Sequence, residues 1–97
     1  MKTYEGERTL SGAVVTVDGR ALDPRFDLAT YNKTGFEWTY VGPGPKQLAL
    51  ALLADCLNTD VRALALADVF MRTVVATLDN AWQLTSEDIE DALAEID

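Results

Sequence analysis

The chain has 97 residues, 48% of them apolar, which is material for one modest core and one domain spanning residues 1–97. Sixteen acidic against eight basic side chains give a formal charge of −8, which argues against direct contact with DNA or RNA, where Lys and Arg must displace phosphate counterions. A single cysteine, Cys56, and the absence of histidine exclude an intramolecular disulfide and remove the commonest zinc ligand, so no metal and no cofactor is expected.

The first 41 residues read as strands. Thr3-Tyr4-Glu5 opens, and Ala13–Val17 follows as a β-branched run between Gly12 and the turn pair Asp18-Gly19, where glycine accepts the positive φ of a tight turn. Arg20 to Asn32, containing Asp23-Pro24, reads as a long irregular connection. Phe36, Trp38 and Tyr40 alternate with Glu37 and Thr39, which predicts a third strand over Phe36 to Val41 with its aromatics on one face.

Gly42-Pro43-Gly44-Pro45 stops that strand, and Pro45 suits the first turn of a helix, predicted over Pro45 to Leu57. Its run Leu48 to Ala54 is apolar on nearly all sides, the mark of a central helix covered both by the sheet and by other helices. That run is far shorter than the roughly 20 residues of a membrane span, and no basic segment leading into an apolar one opens the chain, so a soluble intracellular protein is expected.

Asn58 or Thr59 is the expected cap of a second helix from Asp60 to Leu78, whose stripe is Val61, Leu64, Met71, Val75 and Leu78. Leu66, Val69 and Phe70 fall outside the stripe. They are expected either under a third layer or in an exposed apolar strip at an interface. Asp68 and Arg72, four apart, are placed to pair.

Trp82-Gln83-Leu84 leads into a last helix over Ser86 to Ile96. Thr85 with Asp88 has the spacing of a capping box, with Asp in place of the commoner Glu or Gln. Ile89, Ala92, Leu93 and Ile96 share one face. The expected architecture is α+β, with a small antiparallel sheet of about three strands packed against three helices.

Charge is distributed unevenly. Residues 1–54 carry six acidic and six basic side chains, whereas residues 55–97 carry ten acidic and two basic. The last 13 residues hold Glu87, Asp88, Glu90, Asp91, Glu95 and Asp97 and no base. Glu87 and Asp88 in the first turn complement the positive end of the helix macrodipole, so solvation and helix design account for them without a partner. Glu95 and Asp97 sit at the unfavourable end with no lysine placed to pair with them. Residues three or four apart on a helix have Cβ atoms about 5–6 Å apart, a spacing near that of successive phosphates. Glu87, Asp88, Glu90, Asp91 and Glu95 are therefore the candidate partner-binding residues, and the partner they fit is a basic protein surface built to hold nucleic acid.

Chemistry finds little purchase elsewhere. Gly42-Pro43-Gly44-Pro45-Lys46 lacks the spacing of a phosphate-binding loop, and its two prolines remove backbone donors. Cys56 has no histidine to act as its base and reads as a small core residue near a helix end. Carboxylate pairs such as Glu87 with Asp91 need a cleft to separate their pKa values, which a solvated helix face does not provide. Trp38 and Trp82 lie beside aliphatic runs and read as core anchors. A non-enzyme is expected.

The segments Gly35-Phe36-Glu37-Trp38, Gly42 to Pro45 and Gln47 to Asp55 resemble a family of small uncharacterised proteins of bacteria, phages and mobile elements that carries a domain-of-unknown-function label. Val17-Asp18-Gly19-Arg20 with Leu22-Asp23-Pro24 upstream, and Val74-Val75-Ala76 and Trp82-x-Leu84 downstream, are similar in order and spacing, so the resemblance covers most of the chain. It carries over no catalytic residue. It implies a mobile-element setting and the cytoplasm of a bacterial host cell, where small acidic proteins often inhibit host defence. The expectation is an anti-CRISPR protein, a DNA mimic that occupies the basic DNA-recognition surface of a type I CRISPR surveillance complex, as a monomer or weak homodimer. The alternative is a non-enzymatic interaction module that binds through the strip Leu66, Val69 and Phe70.

Overall fold

The computed structural model describes residues 1–96, so Asp97 lies outside the described residues. Strands β1 (Thr3–Thr9), β2 (Gly12–Val17), β3 (Arg20–Ala21) and β4 (Trp82–Thr85) form an antiparallel sheet in the order β3-β2-β1-β4. Helices α1 (Pro43–Leu57), α2 (Asp60–Thr73) and α3 (Ser86–Ile96) complete the α+β fold, with a single 3-10 turn at Val75–Thr77 after α2.

The sheet follows from alternation. Tyr4, Val15, Val17 and Trp82 point to the buried face, while Glu5, Glu7, Val14 and Gln83 remain exposed. In register, Tyr4 lies between Val17 and Leu84, and Gly6 between Val15 and Trp82. Asp18 (φ 48°) and Gly19 (φ 82°) both take positive φ, the geometry that joins β2 to β3 in a tight hairpin, as the Asp-Gly pair predicts.

The fourth strand was not legible as one, and the predicted strand at Phe36 to Val41 does not form. Thr39 stands at φ 81°, a backbone conformation no strand residue adopts. Trp38 is instead pinned individually: its Nε1 donates to the Asn80 carbonyl at 3.2 Å, and the Arg8 guanidinium lies 4.5 Å from its ring centroid. Of the three aromatics expected on one face, Trp38 is fully buried, Phe36 is half-buried and Tyr40 is 49% exposed.

Helix α1 is the centre of the molecule. Leu48, Ala49, Leu50, Ala51, Leu52 and Leu53 are all fully buried, and each leucine contributes about 1.5–3 kcal/mol of burial. The helix begins at Pro43, two residues before the expected Pro45, and ends where Asn58 enters the left-handed region (φ 55°). Asn58 therefore closes α1, and Thr59 is the N-cap of α2, with no side-chain capping bond.

The expected stripe is corrected in its first half only: Met71 and Val75 are buried and Leu78 half-buried as expected, but Val61 and Leu64 are not. The buried residues of α2 are Ala63, Ala67, Phe70 and Met71, whereas Val61 is 78% and Leu64 40% exposed. Small alanines let α2 lie close against α1, and closeness rather than side-chain size decides which face is inside. The helix also stops at Thr73 rather than Leu78. Of the two placements expected for Leu66, Val69 and Phe70, burial holds for Phe70, which is fully inside, while Leu66 and Val69 are half-buried, so no exposed strip of the three exists. Asp68 and Arg72 pair at 2.9 Å.

Candidate partner-binding surface

Helix α3 starts on two reciprocal bonds. The Asp88 backbone N–H donates to Thr85 Oγ1 at 3.1 Å, and the Thr85 N–H donates to Asp88 Oδ2 at 2.9 Å, which is the capping box expected from the sequence. The start of the helix is also fastened to the start of β1. The Ser86 N–H donates to the Lys2 carbonyl at 2.9 Å, and the Lys2 N–H donates to Ser86 Oγ at 3.1 Å. Ile89 and Leu93 are buried, Ala92 and Ile96 half-buried, so the apolar face points inward as predicted.

All five candidate residues, Glu87, Asp88, Glu90, Asp91 and Glu95, are exposed on this helix. At about 100° per residue, Glu87, Asp91 and Glu95 form the central file, with Glu90 and Asp88 on its flanks, an arc of roughly 160°. Asp88 has a second task, since one of its oxygens holds the cap.

No salt bridge reaches this arc among the described residues. Five of the eight bases are engaged elsewhere, among them Arg72, which pairs with Asp68. Arg8 pairs with Glu37 at 2.7 Å, and Arg25 bridges Asp27 and Asp60 at 3.0 and 3.1 Å. Lys46 lies 4.3 Å from the Tyr31 ring centroid. Lys2, whose backbone touches Ser86, sends its ammonium to Asp55 Oδ2 at 3.2 Å. The nearest tethered cation thus neutralises a carboxylate of α1 and leaves the α3 charge standing.

The Asp55 cluster is a feature that sequence reading missed, because Lys2, Tyr4 and Asp55 meet only through the sheet-on-helix packing. Tyr4 is fully buried and its hydroxyl donates to Asp55 Oδ2 at 2.7 Å. Burial, then the bond to Asp55, pushes its phenol well above the usual range. Burial also pushes the Cys56 thiol up, aided by the charges of Glu90 and Asp55, which disfavours the thiolate that a nucleophile requires. Among the described residues no three His, Cys, Asp or Glu side chains converge as a metal ligand set.

Concavities mark the surface of the described residues, and three bear on the site. One of about 420 Å³ lies on the outer sheet face by Glu5, Glu7, Val14 and Gln83. A polar one of about 290 Å³ is lined by Lys2, Asp23, Arg25, Asp55 and Asn58. The third, about 470 Å³, is an apolar groove between α2 and α3 that includes Val69 and Glu95. No helix is long and apolar enough to cross a membrane among the described residues.

Comparison with known proteins places this architecture in a family without assigning it an activity. The model of a family of unknown function (DUF6166) matches residues 4–95, and the chain belongs to that family. No curated protein and no solved structure matches the chain.

Proposed function

We propose that this member of the DUF6166 family is a non-enzymatic binding protein whose α3 carboxylates dock on a Lys/Arg-lined surface of a nucleic-acid-binding protein. The observation that carries the reading is the uncompensated arc on α3: five exposed carboxylates on one helix and no salt bridge to any of them among the described residues. A fold that routes Lys2 to Asp55 of α1 rather than to α3 keeps that field intact. Such a field steers association with basic surfaces and repels nucleic acid itself. The charge of −8 also favours the monomer, since two copies repel.

In its finer form the reading makes the protein a DNA mimic carried by a phage or other mobile element and acting in the bacterial host cytoplasm. The carboxylate file stands in for a phosphate track and fills the DNA-recognition surface of a type I CRISPR surveillance complex. Support for that target comes from size, charge and the mobile-element resemblance of the sequence. The experiment is target-duplex binding by the purified complex in the presence of wild-type protein or of a triple variant, Glu87→Lys with Glu90→Lys and Asp91→Lys. Wild type displaces the duplex and the variant, folded by circular dichroism, does not. Equal displacement by both would sink the reading.

A further inference from the structure

We infer that the groove between α2 and α3 is the docking site for a basic amphipathic helix of a partner protein, with an apolar side chain seated between the two helices and Lys or Arg against the α3 carboxylates. The inference rests on the binding role proposed above and specifies how the partner is held.

The groove is lined by Val69, Thr73 and Val74 on one side and by Ala92, Glu95 and Ile96 on the other. Four of these are apolar, and the Thr73 hydroxyl is already donated to the Val69 carbonyl at 2.8 Å. The polar atom at the rim that remains to be satisfied is the Glu95 carboxylate, with Asp91 one turn before it. The concavity by Lys2 and Arg25 is polar and its bases are paired, and the one on the sheet mixes Val14, Ala81 and Trp82 with Thr16 and Gln83 beside Glu5 and Glu7, away from the α3 carboxylates.

Charge selects the occupant. A second copy of this chain would bring another −8 and its own acidic helix to the same rim. A neutral apolar ligand would leave the Glu95 and Asp91 charges unanswered. A basic amphipathic helix answers both surfaces, with apolar residues at i, i+3 or i+4 in the groove and lysine stems lying along its apolar wall while their ammonium groups reach the carboxylates.

The test titrates isotopically labelled protein with a synthetic leucine/lysine amphipathic helix and with a charge-matched peptide in which serine replaces every leucine. The leucine peptide is expected to shift the amide signals of Val69, Thr73, Ala92 and Ile96 and to bind about tenfold tighter than the serine peptide, a difference of about 1.4 kcal/mol. Val69→Gln and, independently, Ala92→Gln each weaken the leucine peptide about fivefold or more without changing serine-peptide binding. Equal binding of the two peptides, shifts confined to residues outside the groove, or full binding by both folded glutamine variants would overturn the inference. Loss of duplex displacement in the α3 lysine variant, with both glutamine variants fully active in peptide binding, leaves the charge reading and removes the groove. Groove binding by the leucine peptide without any effect on duplex binding does the reverse.

Discussion

Gln47 shows how one side chain organises a segment that has no regular structure. It is fully buried on α1, and its Oε1 accepts from the Tyr31 and Asn32 N–H groups at 2.7 and 3.2 Å. Its Nε2 donates to the carbonyls of Pro24 and Ala29 at 2.8 and 3.1 Å. Four backbone groups of the irregular 22–42 connection between β3 and α1 thus find their partners in one amide. Gln47→Leu strands them, and urea unfolding should show a loss of about 3 kcal/mol; a loss below about 1 kcal/mol would mean that water replaces the amide. Gly6 is held by a different constraint, because a Cβ there would collide with the Nε1, Cε2 and Cζ2 edge of the Trp82 indole. That indole N–H is buried with no hydrogen-bond partner among the described residues, and the ring stands edge-on to Trp38 at 5.8 Å. Gly6→Ala is therefore expected to cost about 1–3 kcal/mol, and less in a Trp82→Phe background, where the colliding edge of the indole is gone. Additive losses would show that the strain lies in the strand and not against the indole. Tyr4 sets a pH limit. Its folded phenol titrates above the unfolded value of about 10, so its contribution is complete below that pH and is lost as pH rises beyond it, when only the unfolded chain releases the proton. Part of the phenolate absorbance should appear only on alkaline unfolding, and Tyr4→Phe should abolish that part.

At the scale of elements, what could be read from the sequence was whatever local chemistry fixes alone. The Asp18-Gly19 turn, the wholly apolar α1 and the capped, amphipathic α3 each carry their signal within a few residues, and all three form as expected. The strand expected at Phe36 to Val41 failed because its alternation reflects separate fates for three aromatics. The position beside β1 that a further strand would take is filled by Trp82–Thr85, some forty residues later in the chain. A two-residue strand such as β3 leaves no pattern at all. The first two turns of α2 differ from expectation for a related reason, since Ala63 and Ala67 rather than Val61 and Leu64 are inside only because α1 is close, while Met71 is buried as expected. For the site, the acidic helix was legible down to its five exposed carboxylates, but the groove beside it was not, because it needs α2 and α3 brought together from separate stretches. The α3 pattern also carries a cost in stability that can be measured. Glu95 repels Asp91 one turn before it and the negative end of the helix dipole, so Glu95→Lys is expected to stabilise the fold by about 0.3–1 kcal/mol while weakening partner binding. A variant that binds normally would show that Glu95 is solvated and nothing more.

For the molecule as a whole, charge separates what stabilises from what recognises. The first 54 residues are balanced, and three of their six bases are held in pairs that fasten one segment to another: Arg25 ties the irregular segment to the start of α2, Arg8 ties β1 to Glu37, and Lys2 ties the start of the chain to α1. The excess charge lies in the second half, and its densest part is displayed on a helix fixed at its start by the capping box and by Lys2. A rigid helix presents carboxylates at set intervals, which lowers the entropy lost when a partner docks. Binding of this kind is screened by salt over a Debye length of about 8 Å at physiological ionic strength, whereas the groove's apolar contribution is not. Salt dependence therefore tests the charge reading most directly. Target-duplex binding by a purified type I CRISPR surveillance complex, with and without this protein, should be lost at about 50 mM salt and restored at about 200 mM at the same protein concentrations, the range over which multi-charge contacts weaken steeply. Duplex binding that is undisturbed at both salt concentrations would contradict charge mimicry of that complex.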